Sequence, residues 1–99
     1  MASTLRYDTD AMREAANRLV SISNDMVSCK SDLNTSINKL VANYWQSDAG
    51  AAFQETYSSD WGTNVDKYVA VMRELAKMLR NAANEYDQVT RFANQISFI

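Results

Sequence analysis

Among the side chains of this 99-residue chain that could do acid–base or nucleophilic chemistry are twelve carboxylates and a single thiol, Cys29; there is no histidine. Without His the usual general base near neutral pH is missing, and so are the Glu-x-x-His ligands with which helical bundles hold a di-iron centre. No Gly-rich phosphate loop and no nucleophile elbow occurs. The carboxylates fall on polar helix faces, where such groups are solvated. Cys29 falls on an apolar stripe with no base beside it in sequence, the pattern of a buried, inert thiol. The expectation is a non-enzymatic protein with no cofactor, no metal and no small-molecule substrate. What remains to carry function is surface shape.

The composition narrows the classes further. Ninety-nine residues allow one domain, and 46% apolar residues mark a globular chain rather than a disordered one. Pro is absent and Gly occurs twice, as in chains that are helical throughout. The net charge of −2 is spread over interspersed acids and bases, and the lack of a basic block argues against nucleic acid. One cysteine cannot form an internal disulfide. No apolar run has membrane-spanning length, and Met1 to Asp10 lacks the apolar core of a secretory signal peptide. Read alone, that N-terminus predicts a cytoplasmic protein.

Two apolar stripes at helical spacing organise the chain. After a loosely ordered lead-in, Met1 to Tyr7, the residues Asp8, Thr9 and Asp10 offer N-caps. Met12, Leu19, Met26, Leu33 and Leu40 then repeat every seven residues, flanked by Ala15, Ile22, Cys29, Ile37 and Tyr44. This predicts helix one over about 9–43, roughly 50 Å long at 1.5 Å per residue. In the second half Val65, Met72, Leu79, Tyr86 and Ala93 occupy one heptad position, and Tyr68, Leu75, Ala82, Val89 and Ile96 the other. Helix two is expected over about 49–94, joined by a turn at about 44–48 and followed by a tail, 95–99. The polar stretch Ser58–Asn64, with Gly62 costing about 1 kcal/mol in a helix interior, predicts a kink or break.

The expected fold is all-α: a single domain of two antiparallel helices of similar length. The apolar faces are wider than one partner helix can cover. Val71, Met78 and Phe92 add to one edge of the second stripe, Val69, Ala76 and Ala83 to the other, and Val20, Val27 and Val41 widen the first. A dimer forming a four-helix bundle is the simple way to cover the surplus. The pairing face is therefore read as Met12, Leu19, Met26, Leu33, Leu40, Val65, Tyr68, Met72, Leu75 and Leu79.

Between the stripes stands Trp45-Gln46-Ser47-Asp48-Ala49-Gly50-Ala51-Ala52-Phe53. Ser47 or Asp48 can cap the second helix, an acid there suits the positive end of the helix dipole, and the run of small residues lets the helices approach. Trp45 is expected to fold over the hairpin end as an apolar plug. This stretch resembles the central motif of the WxG family, small type VII secretion substrates that include the early-secreted-antigen proteins. Trp45, Ala49, Ala52 and Phe53 fit the family pattern, and Ser47 stands where the family has Gly. The turn motif is accordingly Trp45, Ser47, Asp48, Gly50 and Phe53.

The resemblance implies a substrate exported as a folded helical dimer, without a cleaved signal peptide, from a Gram-positive or mycobacterial type of bacterium. It implies as partners a second copy or a paralogous WxG protein, and a membrane ATPase of the secretion machine. It equally accommodates a cytosolic adaptor or targeting chaperone that pairs with a larger toxin's N-terminal helices. A membrane-inserting role fits less well, because no Lys/Arg-rich polar face accompanies the apolar one. Many family members or their partners carry Tyr-x-x-x-Asp/Glu after the second helix. Here Tyr86 is followed by Thr90, and the literal match Tyr44 to Asp48 lies in the turn. The apolar tail with Phe92, Ile96, Phe98 and Ile99 is therefore the expected export or docking element.

Overall fold

The computed structural model describes residues 7–96. The first helix, α1, spans Thr9–Asn43. Asp8, in extended backbone, starts it: the Asp8 side chain accepts the Ala11 N–H at 3.0 Å and the Asp8 carbonyl accepts the Met12 N–H. These two bonds satisfy donors that a helix start otherwise leaves open. Tyr44 closes α1, its N–H still reaching the Leu40 carbonyl at 2.9 Å.

After the turn come α2 (Asp48–Thr56), a six-residue π-helical turn (Tyr57–Gly62) and α3 (Thr63–Ile96). Thr56, Tyr57 and Thr63 all have right-handed helical dihedrals, so the helix runs on through the π turn. The expected kink or break is thus one wide helical turn. Local contacts account for it. Tyr57 stacks on Trp61, with ring centroids 5.0 Å apart and planes at 23°, and its hydroxyl donates to the Lys30 carbonyl of α1 at 3.4 Å. Burial, with the nearby Cys29 thiol, pushes the Tyr57 hydroxyl pKa up. Gly62 is buried beneath the Lys30 side chain, and the Lys30 ammonium in turn bonds Asp66 at 2.7 Å.

The two arms are unequal, unlike the similar lengths expected. The second, from Asp48 to Ile96, is longer than α1, and residues 91–96 are all exposed at its end. The lead-in is also more ordered than expected at its last residue. Tyr7 stacks on Tyr86 at 4.4 Å, and its hydroxyl lies 2.6 Å from the Thr90 hydroxyl. The result is a rod of 78 × 24 × 16 Å with a radius of gyration of 22.5 Å, against about 13 Å for a compact chain of this length.

Small residues hold the arms together. Ala16 and Ser23 of α1 and Val65, Val69, Ala76 and Ala83 of α3 are the buried side chains of these two helices. Their spacing is heptad-like and three of them are Ala, so the helix axes can approach closely. Ser23 satisfies its hydroxyl within α1, donating to the Val20 carbonyl at 2.7 Å. The sequence pattern placed Val69, Ala76 and Ala83 at an edge of the stripe; they are its centre. Tyr68 and Leu75 are too large for so narrow a seam and stand exposed, as does Val89.

The flanks of the seam differ in chemistry. Along one, Arg13 bonds Asn84 at 2.8 Å and Asp87 at 2.5 Å, Arg80 bonds Asn17 at 2.8 Å, and Arg73 bonds Asn24 at 3.1 Å. The partners descend one arm as they climb the other, which fixes the antiparallel register. The Arg13 guanidinium, helped by the Thr9 hydroxyl, holds the Asp87 carboxyl below its ordinary value. The other flank is apolar and uncovered.

Candidate functional site

The turn is built around Trp45 and Gly50. Ser47, in extended backbone, is the N-cap of α2: its Oγ accepts the Gly50 N–H at 3.1 Å and its carbonyl accepts the Ala51 N–H at 3.0 Å. Asp48 is thereby the first helical residue, with its charge at the positive end of the dipole. The Ser47 N–H donates back to the Trp45 carbonyl at 3.1 Å, closing a short loop. Gln46, within this loop, donates to the Ala42 carbonyl of α1, and Gln54 donates to the Asn38 side chain, tying α2 to α1.

Trp45 folds back onto α2. Its ring meets Phe53 at 5.5 Å with planes at 47°. Gly50 lies beneath it: a Cβ at Gly50 would sit 2.3 Å from the Trp45 carbonyl oxygen and 3.2 Å from the indole. Gly50 therefore supplies a close approach that no other residue can. Trp45 keeps 36% of its surface and Phe53 46%, so the plug is partial and presents an aromatic pair at the tip. Tyr44 beside it is 84% exposed.

The apolar flank occupies most of the rod. From α1 it takes Met12, Leu19 and Met26, half-buried, and Leu33 and Leu40, exposed. From α3 it takes Met72 and Leu79, half-buried, and Tyr68 and Leu75, exposed; Val65 is buried where the flank meets the seam. The structure brings Leu19 together with Leu75 and Leu79, and Met26 with Val65. Two depressions mark it. A groove of about 410 Å³ is lined by Leu19, Leu75, Met78, Leu79 and Ala82, and a cleft of about 60 Å³ by Met26, Cys29, Trp61 and Val65. Large apolar patches left exposed are where proteins meet partners.

Cys29 corrects one expectation. Its stripe faces the uncovered flank, so the thiol is exposed on the single hairpin. Ile22 and Ala82 stand in the apolar stripes but outside the pairing face read from them; Ile22 is exposed and Ala82 lines the groove. The signal was present in Ile22 and Ala82, which sit in the second row of each heptad. Trp61, which the sequence allowed either to pack inward or to stand as an exposed anchor for a partner, is 38% exposed and lines the cleft.

At the far end, Phe92 and Ile96 are exposed on the overhang of α3; Phe98 and Ile99 lie outside the described residues. Tyr86 and Thr90, which stand at Tyr-x-x-x-Asp/Glu spacing, are engaged by Tyr7. Among the described residues no group of three or more His, Cys, Asp or Glu side chains could hold a metal, and no helix is long and apolar enough to cross a membrane.

Comparison with curated proteins and with solved structures gives no match. Comparison with protein families gives one: residues 4–90 match WXG100, described as proteins of 100 residues with WXG. Members are small helical proteins secreted by type VII systems, which is the coarse functional assignment the match carries. With a hairpin whose turn seats Trp45 over Gly50, and a family match that runs nearly end to end, this chain belongs to the WXG100 family.

Proposed function

We propose that the chain is a non-enzymatic type VII secretion substrate, exported as a folded helical dimer. The observation that carries this reading is the uncovered apolar flank. Leu75 at 45%, Tyr68 at 62% and Met78 at 57% exposure are costly for a solitary soluble rod, since burial of each such side chain is worth about 1.5–3 kcal/mol. A second copy or a paralogous family member covers them, and four helices then enclose one core. The overhanging end of α3, with Phe92 and Ile96 at helical spacing, is the element offered to the secretion ATPase, in the manner of a helix docking in a groove.

Truncation tests the reading. Removing residues 95–99 leaves the seam untouched, so helicity and pairing persist while the protein disappears from the culture supernatant and accumulates in cells. Normal export of a stable truncated chain would remove the tail from the mechanism. Retention of the full-length chain in the cytoplasm, with export of a larger toxin depending on it, would replace the substrate role with an adaptor role.

A further inference from the structure

We propose that Tyr7 is a latch: its ring occupies the inner end of an apolar strip on α3 and must leave before a partner can take that strip whole. The inference rests on the reading that the end of α3 is offered to a docking partner, and it adds what controls that offer. The strip is Tyr86, Val89, Phe92, Ala93 and Ile96. At about 100° per residue these positions fall within roughly 120° of the helix circumference, the width of an amphipathic helix face. Asp87, Gln88, Arg91 and Gln95 fill the other side. Val89, Phe92, Ala93 and Ile96 are exposed. Tyr86, the innermost member, is half-buried, and the ring stacked on it is Tyr7.

Tyr7 is placed to let go. It stands immediately before the Asp8 N-cap, outside α1. Its hydroxyl lies 2.6 Å from Thr90 Oγ1, and its ring centroid lies 4.4 Å from that of Tyr86 with the planes at 16°. Among the described residues the buried seam ends at Ala16 on α1 and Ala83 on α3, so neither contact belongs to it. One aromatic stack and one exposed hydrogen bond favour the closed state by only roughly 5- to 150-fold. The Asp8 cap and the Arg13–Asp87 pair hold the start of α1 without Tyr7, so opening the latch leaves the hairpin paired. A partner that grips the strip through Tyr86 has its apparent affinity lowered by the closed-to-open ratio. By the same linkage, its binding releases Tyr7.

Nitration of tyrosine in the purified full-length chain reads the latch directly. Peptide mapping separates the five tyrosines. Exposed Tyr44 is the reactive reference, and Tyr57, held on the Lys30 carbonyl, the protected one. Tyr7→Ala is expected to raise the Tyr86 rate relative to Tyr44 about fivefold or more. It should leave Tyr57 unchanged and the circular dichroism melt within a few degrees of wild type. Tyr7→Phe, which keeps a ring for the stack, and Thr90→Val, which removes only the hydrogen bond, are expected in between. In a pulse-chase, Tyr7→Ala is expected to reach the culture supernatant faster than wild type. An unchanged Tyr86 rate would overturn the latch. A raised Tyr86 rate with export no faster than wild type would overturn its control of the docking end and leave the substrate reading intact. A raised Tyr86 rate with neither chain in the supernatant would overturn the substrate reading, and with it the export role of a latch that is nonetheless there.

Discussion

Replacing Gly50 with Ala sets helix propensity directly against the geometry of the turn. Gly50 is the third residue of α2 and has no positive φ, so propensity alone favours Ala by about 1 kcal/mol. The added Cβ would lie 2.3 Å from the Trp45 carbonyl oxygen, a backbone atom that also accepts the Ser47 N–H. Relieving the overlap must move that carbonyl and lift the indole. Overpacking of this kind costs about 1–3 kcal/mol, and loss of the turn hydrogen bond about another 1 kcal/mol. The clash wins, with a net destabilisation of about 2 kcal/mol, which for a chain of this size lowers the melting temperature by roughly 8–16 °C. The assay is a thermal melt by circular dichroism at one fixed protein concentration, because association shifts apparent stability. Gly62→Ala is the internal comparison: its Cβ would press only on the flexible end of the Lys30 side chain, at 3.3 Å, with the Tyr57 carbonyl oxygen at an ordinary contact distance of 3.6 Å, and it should melt within a few degrees of wild type. If Gly50→Ala melts as high as Gly62→Ala, the close approach of Trp45 does not constrain the turn and the reasoning fails.

Two further substitutions test the hairpin. Ala76→Leu puts a large side chain into a seam where Ala76 keeps 1% of its surface; it should destabilise by about 1–3 kcal/mol, read from the urea midpoint, whereas Ala70→Leu on the exposed side should not. Arg13→Ala tests the polar stitching through its pH dependence. Because Asp87 has a depressed pKa in the folded chain, its pairing stabilises fully above the ordinary carboxylate value of 3.8 and is lost as pH falls through the lower folded value. The wild-type advantage over Arg13→Ala should be constant from about pH 5 to 8 and shrink below about pH 4; an advantage unchanged at the lowest pH would mean that Arg13 acts through Asn84 alone.

The heptads made the two arms readable, and the Ser-Asp pair after Trp45 made the start of the second arm readable. The choice of seam was harder. Two adjacent apolar rows share each heptad, and periodicity cannot say which one faces the other arm. Side-chain size decides it: Ala76 and Ala83 fit between close helices, Tyr68 and Leu75 do not. The π turn was legible only as a weak place, since what stabilises it is the Tyr57 contact with α1, a residue 27 positions away. The stacking of Tyr7 on Tyr86 was invisible for the same reason: it joins opposite ends of the sequence.

Separating a small-residue seam from a large-residue flank also shapes how such a chain can change over generations. The seam and its arginine contacts keep the hairpin intact whatever happens on the flank. After a gene duplication, substitutions on the exposed flank leave the buried seam as it was, whereas a change at Ala76 or Ala83 reaches the contact between the arms and is tested against the fold itself.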